Sequence, residues 1–210
     1  MGAPVTSRYL VFLSYVSADA GFVSSVADRL ESQRVAAFAA HRDIPGGEEW
    51  LPHIERALLR CNALAAFVTS GFGESEWTDQ EVGYVLGRRK KVVPVRFSSG
   101  VTPRGFLNRY QAPNVGDLDP AGVANVIIDA LLRYPEERRE LIEPLAESLE
   151  RDRELERLRT SVLRLRYFTD LPPDQVRRLN SIAASNAVLR HDRELRHALR
   201  TTLASLGHLE

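Results

Sequence analysis

The chain is poor in several things that would each have pointed to a function. It has one cysteine, Cys61, in 210 residues. An internal disulfide framework is therefore excluded, and a reducing compartment fits best. It has no surplus of charge: Lys+Arg and Asp+Glu both number 28. A general nucleic-acid binder usually carries a basic excess, so nucleic acid is not an expected partner. It has no apolar run approaching the roughly 18 residues needed to span a bilayer, so no membrane partner is expected. The opening MGAPVTSRYLVFLSY lacks a charged start followed by a long apolar stretch, so no signal peptide is expected. A soluble, cytoplasmic protein is the expectation. There is no P-loop and no G-x-G-x-x-G, which leaves kinase-type and hydride-transfer chemistry unsupported. No His, Cys and carboxylate cluster stands at metal-ligand spacing, so no metal and no cofactor are expected.

What is present is an alternation of short apolar runs and helical periodicity. Arg8–Ser14, Val35–Ala39, Ala63–Thr69 and Lys91–Arg96 read as buried strands, and Tyr110–Val115 as a short fifth one. Pro94 lies inside the fourth and predicts an edge position or a bulge. Asp19 is placed to cap a helix carrying Phe22, Val26 and Leu30 on one face. Leu51, Ile54, Leu58 and Cys61 recur at helical spacing, which makes Cys61 a buried small hydrophobe rather than a nucleophile. Helices are also expected over Trp77–Arg88 and Val123–Tyr134. Strands alternating with helices imply βαβ units and a parallel sheet covered on both faces. Ligands in such sheets bind beyond the carboxyl ends of the strands. Those ends lead here into Ser14–Asp19, His41–Glu49, Ser70–Glu76 and Phe97–Gly105.

After Tyr134 the character changes. Residues from Glu136 to Arg166 are densely charged with both signs, and Pro135 and Pro144 each suit a helix start better than its middle. Leu155, Leu158, Val162 and Leu165 form a narrow apolar stripe, too short to assert a coiled coil. Glu154–Arg157 and Glu156–Arg159 are helix-supporting pairs. Leu171-Pro-Pro-Asp breaks the chain, and one or two short helices follow over Asp174–Ile182 and Ala187–Leu206.

The motifs of the first two thirds resemble those of TIR domains. Phe12-Leu13-Ser14-Tyr15 with Asp19 is similar to the family's first box. Arg42-Asp43-Ile44-Pro45-Gly46-Gly47, followed by Trp50, is similar to the second. Ser75-x-Trp77-x-x-x-Glu81 resembles the segment that carries the catalytic glutamate in NAD+-cleaving members, and Gly105-Phe106 sits where a weaker third box is expected. The AHRDIPGGEEW and SEWTDQEVG stretches look most like bacterial stand-alone TIR proteins associated with antiphage defence. The resemblance implies a flavodoxin-like five-stranded parallel sheet over residues 1–134. Residues 135–210 are then an all-helical C-terminal extension that braces the domain, mediates dimerisation or docks a sensor or effector protein. It further implies NAD+ as substrate, self-association through the TIR domain, and Glu81 as the catalytic carboxylate.

Trp77 and Glu81 are four residues apart, so their side chains share one helical face. Spacing alone favours a core Trp and a solvated Glu; the resemblance reverses that order. Ser14 and Tyr15 end the first strand and are placed to touch ribose or phosphate, or to serve as a turn residue and a half-buried aromatic. Trp50 either stacks on a base or anchors its loop. Arg42 and Asp43 are candidate substrate contacts, although Asp43 reads more readily as the residue that orients the loop or pairs with Arg42. Phe72, in Gly71-Phe-Gly, is placed to cover the site. His41 reads first as a loop residue and only second as an acid–base group. Some NAD+-cleaving relatives carry Arg directly after the Ser-Tyr pair, where this chain has Val16 and Ser17. Phosphate contacts would then fall to Arg42, to Arg96 or to backbone N–H groups at a helix start. Two functions follow: an NAD+ glycohydrolase or ADP-ribosyl cyclase in immune signalling, or a scaffold that signals only by self-association.

Overall fold

The computed structural model describes residues 9–169 and 171–206. Arg8, expected to open the first strand, lies outside them. The chain divides into two compact units, Met1–Leu131 and Leu132–Glu210.

The first unit is a parallel sheet. Strands β1 (Leu10–Ser14), β2 (Ala36–Phe38), β3 (Ala63–Val68) and β4 (Lys91–Arg96) lie in the order β2-β1-β3-β4. The register pairs Phe12 with Phe38 and Leu64, and Ala66 with Pro94. Pro94 is on the edge strand, the position its missing N–H demands. The expected fifth strand is reduced to one bridge between Arg96 and Asn114. Two hydrogen bonds hold it, Arg96 N–H to the Pro113 carbonyl (3.0 Å) and Val115 N–H to the Arg96 carbonyl (2.8 Å). Pro113 has no N–H to extend the ladder. At Gly116 a Cβ would come within 2.2 Å of the Phe97 carbonyl oxygen, so the chain turns there against the sheet and only glycine fits.

The crossovers are helices α1 (Ala20–Ser32), α2 (Ala40–Asp43), α3 (Trp50–Arg60), α4 (Glu76–Gly87) and α5 (Pro120–Leu131). α2 is a short turn that opens the segment His41–Glu49 beyond β2. α1 packs with α5 and β2, whereas α3 and α4 pack on each other and on β1. Alternation along each strand divides the core accordingly. Phe12, Leu64, Ala66 and Val92 join Ile54, Leu58, Cys61, Val82 and Val85 in the layer beneath α3 and α4. Ser14 follows Phe12 by two residues and so faces the same layer. Asp19 stands at the head of α1 but makes no side-chain cap. Its carboxylate accepts from the Thr69 hydroxyl instead (2.9 Å), tying the loop after β1 to the end of β3.

The second unit contains α6 (Pro135–Arg151), α7 (Leu155–Arg164), α8 (Pro173–Ser185), α9 (Ala187–His191) and α10 (Arg193–Leu206). Pro135 opens α6 as expected, but Pro144 lies inside it. Losing one backbone hydrogen bond is tolerated because Leu141, Ile142, Leu145 and Leu149 bury the face on either side. The stripe Leu158, Val162 and Leu165 is buried, with Leu155 at its half-buried end, and it packs within a helical core. The Glu154–Arg157 and Glu156–Arg159 pairs form at 2.8 and 3.1 Å on the surface, where such pairs contribute little.

A polar knot with no signature in the local sequence pattern shapes this unit. Ser148, near the end of α6, donates to Asp152 (2.6 Å) and meets the hydroxyl of Ser161 in α7 (2.9 Å). Asn186 is buried, donates to the carbonyls of Leu149 and Asp152, and accepts from the N–H groups of Val188 and Leu189 as the N-cap of α9. Asn186→Ala removes the cap and the side-chain donor to the Leu149 and Asp152 carbonyls, of which Asp152 keeps the Arg153 guanidinium, so it is expected to destabilise this unit by about 2–3 kcal/mol in urea unfolding. A loss within error would show that the knot contributes no net stability.

Candidate functional site

A cleft of about 680 Å³ opens at the carboxyl ends of β1 and β3, where the sheet order reverses. Its walls are mostly apolar, from Phe12, Leu13, Val16, Ala40, Ile44 and Ile54. Glu81 lies at this cleft and is only 8% exposed. Helical spacing brings Trp77, one turn earlier on α4, to the same cleft. Trp50, the first residue of α3, meets Trp77 edge to face with ring centroids 4.6 Å apart. Both indoles remain about two-fifths exposed, at 43% and 41%. Large apolar rings left open to solvent beside a buried carboxylate present a flat, weakly polar surface for an aromatic ligand.

Ser14 is fully buried, and its hydroxyl donates to Glu81 Oε2 at 2.6 Å. Its role here is to hold the carboxylate. Burial raises the Glu81 pKa to about 7, while the Ser14 hydrogen bond works in the opposite direction. A buried carboxyl group with a raised pKa at the carboxyl edge of a parallel sheet is a candidate functional group.

Tyr15 and His41 line the same cleft. The Tyr15 hydroxyl accepts from the His41 backbone N–H (3.0 Å) and lies 3.2 Å from His41 Nδ1. Burial holds the Tyr15 phenol above its ordinary pKa.

Arg42, Asp43 and Phe72 are not brought to the cleft lining. The Arg42 guanidinium is engaged by Asp28, Glu31 and Asp43 and donates to the Ala37 carbonyl. Asp43 accepts from the Ala39 N–H (2.7 Å) and closes the α2 turn. The pair anchors the loop, the structural alternative the sequence had left open for Asp43. Phe72 is buried and lines a second, smaller cavity of about 210 Å³ with Thr69, Asp79 and Arg104. Cys61 donates its thiol to the Leu58 carbonyl, and burial pushes its pKa up to about 11, which disfavours the reactive thiolate. Among the described residues no group of His, Cys, Asp and Glu is arranged to hold a metal ion.

The family model described as TIR domain matches residues 11–125. The chain belongs to the TIR-domain family. The match spans β2, β3, β4 and β1 from Val11 on, both tryptophans of the cleft, and Glu81. Two solved TIR structures are similar to the chain. One is the TIR domain of the Toll-related receptor TRR-2 from Hydra magnipapillata, at 20% identity, covering 61% of this chain and 97% of that one with a TM-score of 0.47. The other is the set of TIR domains of the activated Roq1 resistosome directly recognizing the pathogen effector XopQ, at 17% identity, 94% and 99% coverage, and a TM-score of 0.38. At these values the assignment rests on the family model. No curated protein matches the chain. Among the described residues no helix is long and apolar enough to cross a membrane.

Proposed function

We propose that this TIR unit cleaves NAD+ between nicotinamide and ribose, with Glu81 as the catalytic carboxylate. The observation that carries the reading is the buried Glu81, held by Ser14, beside the open Trp50–Trp77 pair.

The chemistry requires only one carboxylate. The bond broken joins ribose C1′ to a cationic pyridinium nitrogen. Its electron pair leaves with nicotinamide, which departs neutral and needs no proton. Ordinary glycosidases need a second carboxyl group to protonate the leaving oxygen; this reaction does not. Positive charge develops on C1′ and the ring oxygen. An ionised Glu81 in apolar walls stabilises that charge more strongly than it could in water. It also accepts from the ribose hydroxyls and fixes the sugar. Trp50 and Trp77 offer the flat surface on which nicotinamide or adenine stacks.

Water attack at C1′ gives ADP-ribose and releases one proton. Attack by a nitrogen of the nucleotide's own adenine gives a cyclic product. Which of them wins depends on how far the closed cleft excludes water. The test is chromatography of the products after incubating the full chain with NAD+: nicotinamide must appear together with ADP-ribose or its cyclic form. Unchanged NAD+ at high protein concentration would count against the enzyme.

The motif resemblance supports reading this activity as part of bacterial immune signalling in the cytoplasm. The scaffold reading has one observation of its own. Phe106 and Tyr84 are exposed at 58% and 40%, and the Phe106 ring lies near Gly83 of α4. Such a surface suits TIR–TIR association, and association and catalysis are compatible in one protein. The helical second unit is then a regulatory or partner-docking element.

A further inference from the structure

The dinucleotide expected at this cleft carries two phosphates, yet no Arg or Lys is among the described lining residues. Arg42, next in sequence to His41, is drawn away by three carboxylates. Two acids, Glu74 and Glu81, line the cleft and repel an anion. His41 is the one lining side chain able to carry positive charge.

The hydrogen bonds around His41 favour one of its two tautomers. The Tyr15 oxygen already accepts from the His41 backbone N–H. Its own proton then points to the remaining neighbour, His41 Nδ1 at 3.2 Å. Tyr15 is half-buried and keeps that proton at neutral pH. With Nδ1 as the acceptor of that proton, the neutral ring carries its hydrogen on Nε2. The rings stand 5.6 Å apart at 50°, a tilted contact that helps keep the imidazole in place. With its lone pair committed at Nδ1, the ring cannot serve as a general base through Nε2. It can donate there, and Nε2 has no partner among the described residues.

Resting on the reading of the cleft as a dinucleotide site, we propose that the Nε2–H of His41 is its phosphate-binding donor and that Tyr15 is the positioning residue that sets the tautomer. Specificity for a diphosphate-bearing ligand over the bare nucleoside would come from this pair. The Arg that some relatives carry after the Ser-Tyr dipeptide would here be replaced by a histidine arriving from the next crossover.

The test is calorimetric titration of the full-length chain with ADP-ribose and, separately, with nicotinamide riboside, which has no phosphate. Neither requires turnover. A hydrogen bond to a charged group is worth about tenfold in affinity. His41→Ala is expected to weaken ADP-ribose by about that factor while changing nicotinamide riboside less than about twofold. His41→Gln, whose amide N–H can stand in for Nε2–H, is expected to recover most of the loss. Tyr15→Phe is expected to fall between, because the tautomer is no longer fixed. An unchanged ADP-ribose affinity in His41→Ala, an equal loss for both ligands, or no ADP-ribose binding by the wild-type chain would each overturn the proposal. NAD+ turnover is read separately. A chain that binds ADP-ribose through His41 yet never cleaves NAD+ keeps the phosphate subsite and loses the enzyme.

Discussion

Glu81→Gln is expected to lower NAD+ cleavage by about a hundredfold to a thousandfold, the loss typical of removing one preorganised charge-stabilising group. The amide keeps the shape and can still accept from Ser14, so the cleft should stay intact. Only the negative charge facing C1′ is lost. The same variant should be more stable than the wild type at alkaline pH. The folded-state pKa of Glu81, about 7, is above the ordinary 4.5 because burial penalises the charged form. Between these values the folded chain holds a proton that the unfolded chain has released. Stability therefore falls as pH rises through this window, and above pH 7 the buried charge costs the full difference. At about 1.4 kcal/mol per pKa unit, that amounts to about 3 kcal/mol. Glu81→Gln removes the cost. Its unfolding free energy should exceed the wild type's at pH 8 and match it near pH 4.5. Equal stability at both pH values would mean that Glu81 is not a strained buried carboxylate.

The pH dependence of wild-type turnover is the second large effect. Only ionised Glu81 can stabilise the cationic sugar. kcat/KM, which reports the free enzyme, should rise about tenfold per unit below pH 7 and level off above it. Bound NAD+ brings a cationic ring towards the carboxylate and favours its charged form. The rise in kcat should therefore sit at lower pH than the rise in kcat/KM. Ser14→Ala removes the hydrogen bond that holds the Glu81 pKa down. Its kcat/KM profile should shift to higher pH while its plateau stays closer to wild type. A bell-shaped or flat profile would require a different ionising group.

Much of this was legible in the residues, for reasons that separate what was read from what was not. The strands showed because a parallel sheet buries both faces and writes them as unbroken apolar runs, such as Ala63–Val68. The shared face of Trp77 and Glu81 followed from helical periodicity, a purely local property. The fifth strand was over-read, because apolar character alone does not reveal that Pro113 starves the ladder of a donor. The interior Pro144 was misjudged for a related reason: buried leucines on both sides outweigh one lost hydrogen bond, and that balance is tertiary. Arg42 and Asp43 lie in a loop that borders the cleft, but two of the carboxylates that draw Arg42 away come from α1, 11 and 14 residues earlier. Ser14 was placed at the site by its position at a strand end. That it holds Glu81, 67 residues away, depends on the parity of β1 and on which face α4 covers. The Tyr15–His41 contact likewise joins the ends of two neighbouring strands. No single-segment pattern records such a pairing.

The measurement that tests the central claim most directly is NAD+ consumption by the wild-type chain and by Glu81→Gln, side by side at high protein concentration. The account predicts that nicotinamide is released by the wild type and by less than about one part in a hundred of that rate in the variant, with both proteins folded. Equal nicotinamide release by the two would contradict the assignment of Glu81. No release by either would contradict the enzyme and leave the self-associating scaffold as the reading of this TIR unit.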